Sequence, residues 1–276
     1  MSTISTTSTV SGATSSSTHH SHSLSHDSSI NTSRSSLQSV NSLNTLSSST
    51  PVPSIGESIP PEQQPRIVSP ALKTPSYPNA NGITMVYSTT IRAPLQTVAC
   101  LLLDARTYPQ WNAFCPGVTI TSQPKSTAPL PACLAADPVL ASIANNHTTL
   151  RDGTAFNFNV SMDATGQPRK RGSPTMKVSL LEQFERPDGR VGVRIAWKMK
   201  GIAAKLLLRS ERVQELVPAV ADDGKPCVEY VSWDTYYGML TGGVNSYYGK
   251  QIEAGCTAWM GGLKAYAEER AQVGTW

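Results

Sequence analysis

Charge is scarce in this sequence. Asp, Glu, Lys and Arg make up 15% of the chain, against about 25% in a typical globular protein. The net charge is +4. No helix or ribbon pattern carries a dense basic stripe with interleaved aromatics, so nucleic acid is not an expected partner. No window approaches ~18 consecutive apolar residues, which excludes a transmembrane helix. The N-terminus lacks the apolar core of a secretory signal. Its first arginine is Arg34, too late for a mitochondrial transit peptide. A cytoplasmic protein is the resulting expectation.

Catalytic motifs are also missing. There is no G-x-S-x-G elbow and no glycine-rich phosphate loop between a strand and a helix; Gly242-Gly243 simply precedes a helical stretch. The five cysteines, Cys100, Cys115, Cys133, Cys227 and Cys256, form an odd set with no CxxC or metal spacing. They read as small buried hydrophobes in a reducing compartment. Of five histidines, His19, His20, His22 and His26 cluster near the start, and only His147 lies beyond them. A polar tail holds no metal geometry, and His147 has no visible partner. No cofactor and no metal site is implied, and no residue is singled out as catalytic.

Aromatics are absent from residues 1–50, which are dominated by Ser and Thr. Such a segment cannot bury enough apolar surface to offset chain entropy. Prolines from Pro51 to Pro78 extend it into a linker. The expected division is a disordered tail and linker over residues 1–78 and one folded domain over 82–276, long enough for a sizeable core. Residues 123–149, with Pro124, Pro129, Pro131 and Pro138, read as an irregular insertion, either a lid or an elaboration. The run Arg169-Lys170-Arg171 reads as a hairpin tip.

What is present is periodicity. Ile83 to Ile91 alternates as a strand, Leu95 to Leu103 follows Pro94 as a short helix, and Gly117 to Ser122 is a second strand. Phe156, Phe158, Val160 and Met162 alternate with polar residues. So do Met176, Val178 and Leu180, and then Val191, Val193, Ile195 and Trp197. Leu206–Val217 and Val228–Tyr237 complete the strands. From about Thr241 to Ala271 no proline occurs, and one helical arc collects Val244, Tyr248, Ile252, Gly255, Trp259, Gly262, Leu263 and Tyr266. Strands segregated from one long C-terminal helix predict an α+β fold, an antiparallel sheet curled round that helix. A glycine in a helix costs about 1 kcal/mol relative to alanine. Gly255 and Gly262 on the apolar arc therefore serve either close packing or space for a ligand.

Several segments in order resemble one superfamily. They are Ile91-Arg-Ala-Pro94, Asp104 through Tyr108-Pro-Gln-Trp111-Asn112, Leu150-Arg-Asp-Gly153-Thr154, the strand ending at Trp197, Arg209-Ser-Glu-Arg212-Val213, Tyr230 through Gly238, and the closing Tyr248-Gly249, Trp259 and Leu263-Lys264. Together, over about residues 83–271, they resemble the START-like, or SRPBCC, superfamily, which includes polyketide cyclases and coenzyme Q-binding proteins. The resemblance implies a helix-grip fold, with a sheet of about seven strands round the C-terminal helix. It also implies a cavity between them for a hydrophobic small molecule or lipid.

On that basis the expected cavity wall comprises Trp111, Phe156, Phe158, Val160, Met162, Trp197, Trp233, Tyr236, Tyr248, Gly255, Trp259 and Gly262. The expected function is non-catalytic binding or transport by a monomer, with transient membrane contact allowed. The alternative is a cyclase- or isomerase-type enzyme using a pocket carboxylate, Asp234 or Glu211, or a pocket tyrosine. Against a role for Glu211 stands pairing with an arginine such as Arg209 or Arg212 on an outward face.

Overall fold

Alternation of large apolar and polar side chains makes nearly every strand two-faced, and the pairing of those strands builds one sheet. The computed structural model describes residues 55–79, 81–125, 128–144, 146–161, 171–201, 207–244, 246 and 249–274. The strands are β1 (Arg66–Val68), β2 (Gly82–Ile91), β3 (Gly117–Ser122), β4 (Ala155–Ser161), β5 (Arg171–Gly172), β6 (Thr175–Glu185), β7 (Val191–Met199), β8 (Arg209–Val220) and β9 (Pro226–Tyr237). Their order is β1-β2-β9-β8-β7-β6-β4-β3, with β5 beside β4. Every pairing is antiparallel. The sheet has nine strands rather than about seven; the additions are two-residue β5 and β1, drawn from the proline-rich stretch. The Ser/Thr-rich tail with its histidine cluster, and Arg169 and Lys170, lie outside the described residues.

Tight turns join the β6–β9 meander where the sequence supplies glycine. Gly189 (φ 80°) and Gly224 (φ 78°) close the Pro187-Asp188-Gly189 and Asp222-Asp223-Gly224 turns in the left-handed region. Between β2 and β3 run two helices, α1 (Leu95–Leu103) and α2 (Tyr108–Trp111). The insertion forms α3 (Ala132–Ala135) and α4 (Pro138–Ile143). Asp137 caps α4 by accepting from the amides of Val139 and Leu140, with Pro138 in the first turn. Leu134, Leu140 and Ile143 are buried with α1 in the main core.

After β9 come a short α5 (Thr241–Gly243) and the long α6 (Gly249–Val273). The helix buries Ile252, Gly255, Cys256, Trp259, Met260, Leu263 and Ala267 against the concave face of the sheet. Glu268 accepts the Arg92 amide, and the Lys264 ammonium bonds the Thr90 carbonyl, fixing α6 to the end of β2.

The convex face is covered as well. Residues 55–77, expected to be linker, form a strap across it. Ile59 packs with Val86, Val213, Val231 and Trp233 in a second apolar cluster. Trp233 Nε1 donates to the Lys73 carbonyl at 3.0 Å, and Thr235 Oγ1 to the Leu72 carbonyl at 3.0 Å. The Tyr77 and Tyr237 rings meet at a tilt of 55° with centroids 4.9 Å apart. Burying one large apolar side chain stabilises by about 1.5–3 kcal/mol, so a few strap contacts suffice to order a proline-rich segment. The folded unit therefore includes the strap from Ile55, rather than starting near residue 82.

Candidate functional site

Where α6 meets the wide end of the sheet, the two stand apart and leave a cavity of about 260 Å³. That is close to the lower end of the roughly 300–1,000 Å³ typical of small-molecule sites. β4 contributes Phe158 and Val160, β6 Met176, and β7 Trp197 and Met199. β8 contributes Leu208, just before it, with Ser210 and Arg212; β9 contributes Asp234 and Tyr236. Phe114 and Cys115, after α2, close one side, and Val244 and Ile252 the helix side. Apolar groups dominate the wall, and the polar groups converge on one point.

That point is a buried ion pair. The β8–β9 register sets Arg212 directly opposite Asp234, with Trp197 next to Arg212 on β7. Asp234 Oδ2 accepts from Arg212 Nη2 at 3.0 Å, from Arg212 Nε at 3.3 Å and from the Tyr236 hydroxyl at 3.0 Å. Asp234 Oδ1 is buried and has no hydrogen-bond partner. The side chains are 8% and 10% exposed, so water screens this pair little. The guanidinium also lies 4.8 Å from the centroid of the Trp259 ring.

Burial penalises the Arg212 charge, but its surroundings, with the paired Asp234 carboxylate as the charged partner, more than offset this and hold the group cationic. Burial and the neighbouring Asp234 push the Tyr236 phenol well above its usual value, so it remains a neutral donor. Burial likewise pushes the Cys115 and Cys256 thiols up to about 12. They are poor nucleophiles. Buried ion pairs can often be replaced by apolar residues without loss of stability, so stability alone does not account for this one.

Below the cavity the space is filled by rings. Trp259, fully buried, stands edge-on to Trp111 at 5.1 Å and to Phe158 at 6.0 Å. Its Nε1 donates to the Tyr230 hydroxyl at 3.1 Å, which in turn donates to Gln214 Oε1 at 2.7 Å.

The expected wall residues divide accordingly. Phe158, Val160, Trp197 and Tyr236 line the cavity. Trp111, Phe156 and Trp259 lie in the adjoining core. Trp233 faces the convex side under the strap, because alternation along β9 sets it opposite in direction to Asp234. Met162 and Tyr248 lie outside the described residues. Gly255 is covered by the Phe114 ring: a Cβ there would sit 2.4 Å from a ring carbon. Gly262 is pressed against the Trp111 carbonyl, 2.0 Å from where its Cβ would be. Both glycines permit close packing, and it is Phe114, held by Gly255, that reaches the cavity.

Glu211 is fully buried on the convex face. It accepts from Ser76 N and Oγ and from Ser179 Oγ, not from an arginine. This removes it from the carboxylates available to the cavity. His147 does not line the cavity, and neither does any described residue of the insertion. Among the described residues no three His, Cys, Asp or Glu groups converge as a metal site. No helix among them is long and apolar enough to cross a membrane.

Phe114, Met176, Met199, Leu208 and Ile252 were not expected at the wall. Phe114 lies in an irregular segment with no period to mark it. Met199 lies beyond the strand end that alternation identifies, and Leu208 falls inside the expected Leu206–Val217 strand but just before β8.

No family model matches the chain. It is 30% identical over 192 residues to the oxopyrrolidines biosynthesis cluster protein O of Penicillium oxalicum, an alignment spanning 66% of this chain and 85% of that protein. Solved structures with related topology include a hypothetical protein from Helicobacter pylori, at 16% identity and TM-score 0.44, covering 72% of this chain and 98% of that one. The Zhui aromatase/cyclase from Streptomyces sp. R1128 gives 13% identity and TM-score 0.41, covering 70% and 98%. A START superfamily protein from Mycobacterium smegmatis gives 12% identity and TM-score 0.36, covering 70% and 99%. The antiparallel sheet gripping a C-terminal helix is itself the helix-grip architecture. The chain thus has the helix-grip architecture, and by its Penicillium relative it belongs to the family of the oxopyrrolidines biosynthesis cluster protein O.

Proposed function

We propose that the domain binds a small, largely apolar molecule in the cavity between sheet and helix, and that it holds or carries this ligand without transforming it. The observation that carries the reading is the wall itself: apolar on nearly every side, with one ion pair to set orientation. The modest volume favours a compact ring compound over a long acyl chain. The relative's name, which refers to a cluster for oxopyrrolidine biosynthesis, suits a ligand of that size.

A second reading is a cyclase- or isomerase-type enzyme with Asp234 as general base, favoured by its place among the lining residues and by an Oδ1 without a hydrogen-bond partner. Against it, the other oxygen of Asp234 is tied down by three donors, and the nearby thiols and Tyr236 hydroxyl are held protonated.

Titration with Prodan, a neutral fluorescent probe of apolar cavities, tests the binding role. Wild-type protein is expected to take up one equivalent with a blue shift. Met176→Trp fills the cavity and is expected to abolish the shift while near-ultraviolet circular dichroism stays native. Equal binding by this folded variant would place the probe elsewhere and remove the support.

A further inference from the structure

Few large apolar side chains of this domain are left in water, and three of them meet at one place. Among the described residues the exposed ones are Leu207, Val220, Met239, Leu240 and Val273. Val220 ends β8 and Val273 ends α6, each at the opposite end of its element from the cavity residues Arg212 and Ile252. Leu207, Met239 and Leu240 lie together: the Leu240 amide donates to the Leu207 carbonyl at 3.3 Å. Gly238 turns with φ 112°, where a Cβ would strike that same carbonyl at 2.7 Å. The Thr241 hydroxyl and amide both donate to the Gly238 carbonyl, at 2.5 and 3.2 Å. Hydrogen bonds thus tie this turn down, yet Met239 is 86% exposed, Leu240 49% and Leu207 46%. The turn displays these side chains to solvent at a cost in hydration, which single scattered hydrophobics would not call attention to but a cluster does.

The cluster borders the cavity. Leu208, next to Leu207, lines it, and so does Val244, whose amide donates to the Leu240 carbonyl at 3.0 Å. Charge on this side is of one sign. β6 and β8 begin here and β7 and β9 end here, as the Met176–Met199 and Arg209–Tyr237 pairs show. The described residues 172–176, 198–201, 207–210, 236–244 and 249–251 include Lys198, Lys200, Arg209 and Lys250 and no Asp or Glu. Lys200 and Lys250 are exposed; Lys198 donates to Ser76 Oγ and Arg209 lies over the Tyr77 ring, so both engage the strap. The next carboxylates along β8 and β9, Glu211 and Asp234, are buried with their own partners, and Glu253 on α6 is half-buried.

Aliphatic side chains with lysines beside them suit either an acidic protein surface or an anionic bilayer. A stable protein interface buries about 800 Å² per partner around a packed centre, more than three aliphatic side chains supply. Side chains that enter the headgroup boundary while ammonium groups meet lipid phosphates need no such area. We infer that this end of the domain docks on an anionic lipid bilayer, with Leu207, Met239 and Leu240 entering the interface and Lys200 and Lys250 facing the headgroups. Docking sets the cavity wall at Leu208 and Val244 against the bilayer. Resting on the binding role proposed above, an apolar ligand then passes between membrane and cavity without crossing bulk water.

Co-sedimentation of the full chain with vesicles tests this, using phosphatidylcholine alone or mixed with phosphatidylserine. The wild type is expected to sediment with the mixed vesicles, much less with the neutral ones, and less again at high salt. A basic residue near an anionic surface contributes about fivefold, so Lys200→Ala with Lys250→Ala is expected to lower partitioning roughly 25-fold. Met239→Ser with Leu240→Ser is expected to lower it by about tenfold or more. Val220→Ser removes an exposed side chain at the other end of β8 and is expected to change nothing. All these side chains are exposed, so folding is retained. Absence of vesicle binding, equal binding to neutral vesicles, or an equal loss in Val220→Ser would overturn the inference. Retention on polyglutamate beads without vesicle binding would assign the surface to an acidic protein instead and likewise overturn it. Met176→Trp separates this inference from the cavity role: it is expected to dock as the wild type does while taking up no Prodan. A wild type that binds Prodan but no vesicle leaves the cavity role standing and removes the docking; one that docks but binds no Prodan does the reverse.

Discussion

Replacing Gly255 with alanine should separate protein stability from ligand affinity. The new Cβ would lie 2.4 Å from the Phe114 ring. Carbon atoms settle at about 3.5–4.0 Å, so the ring must retreat by at least ~1 Å. Phe114 lines the cavity, so the expected retreat is into that space. In the free protein the space is open to it. The strain relaxes, and alanine's better helix propensity returns about 1 kcal/mol. The unfolding free energy should therefore change by less than about 1 kcal/mol. With a ligand in place the ring has nowhere to go. The usual overpacking cost of about 1–3 kcal/mol then falls on binding, which should weaken roughly 5- to 150-fold. Gly262→Ala should behave in the opposite way. Its Cβ would meet the Trp111 backbone carbonyl at 2.0 Å, and backbone cannot swing aside, so the free protein itself should lose more than ~1–3 kcal/mol. Gly261, where a Cβ meets nothing within 4 Å, is the control; Gly261→Ala should stabilise by about 1 kcal/mol and leave binding alone. Denaturant unfolding and Prodan titration of the three variants give both quantities. Unchanged affinity in Gly255→Ala, or a free-state loss as large as that of Gly262→Ala, would refute the placement of Phe114 between helix and cavity.

Three other outcomes are expected. Arg212→Met or Asp234→Leu alone should destabilise by about 3–5 kcal/mol by leaving a buried charge unpaired, whereas the double variant should recover most of that; additive losses in denaturant unfolding would contradict the pairing. A chain beginning at Asn79 lacks the strap, so it should lose several kcal/mol on the scale of about 1.5–3 kcal/mol per uncovered large side chain, with red-shifted emission from the uncovered Trp233; a melting temperature equal to that of the full chain would exclude the strap's role. Burial would raise the Glu229 carboxyl, but bonds from Arg190 and Arg186 more than offset this and lower it below its ordinary 4.5. A depressed carboxylate contributes stability above its unfolded value and loses it as pH falls through the folded one. Stability should therefore decline below about pH 4.5, and Glu229→Gln should flatten that decline in urea titrations at stepped pH.

The strands and the long helix could be read from the sequence because each has a clean period. Ile83–Ile91 and Gly117–Ser122 match β2 and β3 within a residue. The strap could not be read, since its hold depends on a few buried groups such as Ile59 and Thr74 and on backbone bonds that composition does not reveal. That omission also misdirected Trp233. Alternation separates two faces of β9 but does not say which is concave, and a strap that covers the outer face makes both look like core. Arg212 and Asp234 were visible as residues, but their pairing depends on the β8–β9 register across a hairpin. Gly255 and Gly262 were marked as unusual by helix propensity. What each is pressed against, a ring in one case and a carbonyl in the other, is tertiary information.

The central claim is that the cavity holds a small ligand. Native mass spectrometry of the protein purified from its own source tests it most directly. The expected spectrum shows one apolar small molecule per chain, released by organic solvent and absent from the Met176→Trp variant. Protein that is repeatedly empty when prepared without detergent or solvent, or a ligand retained equally by the cavity-filled variant, would contradict it.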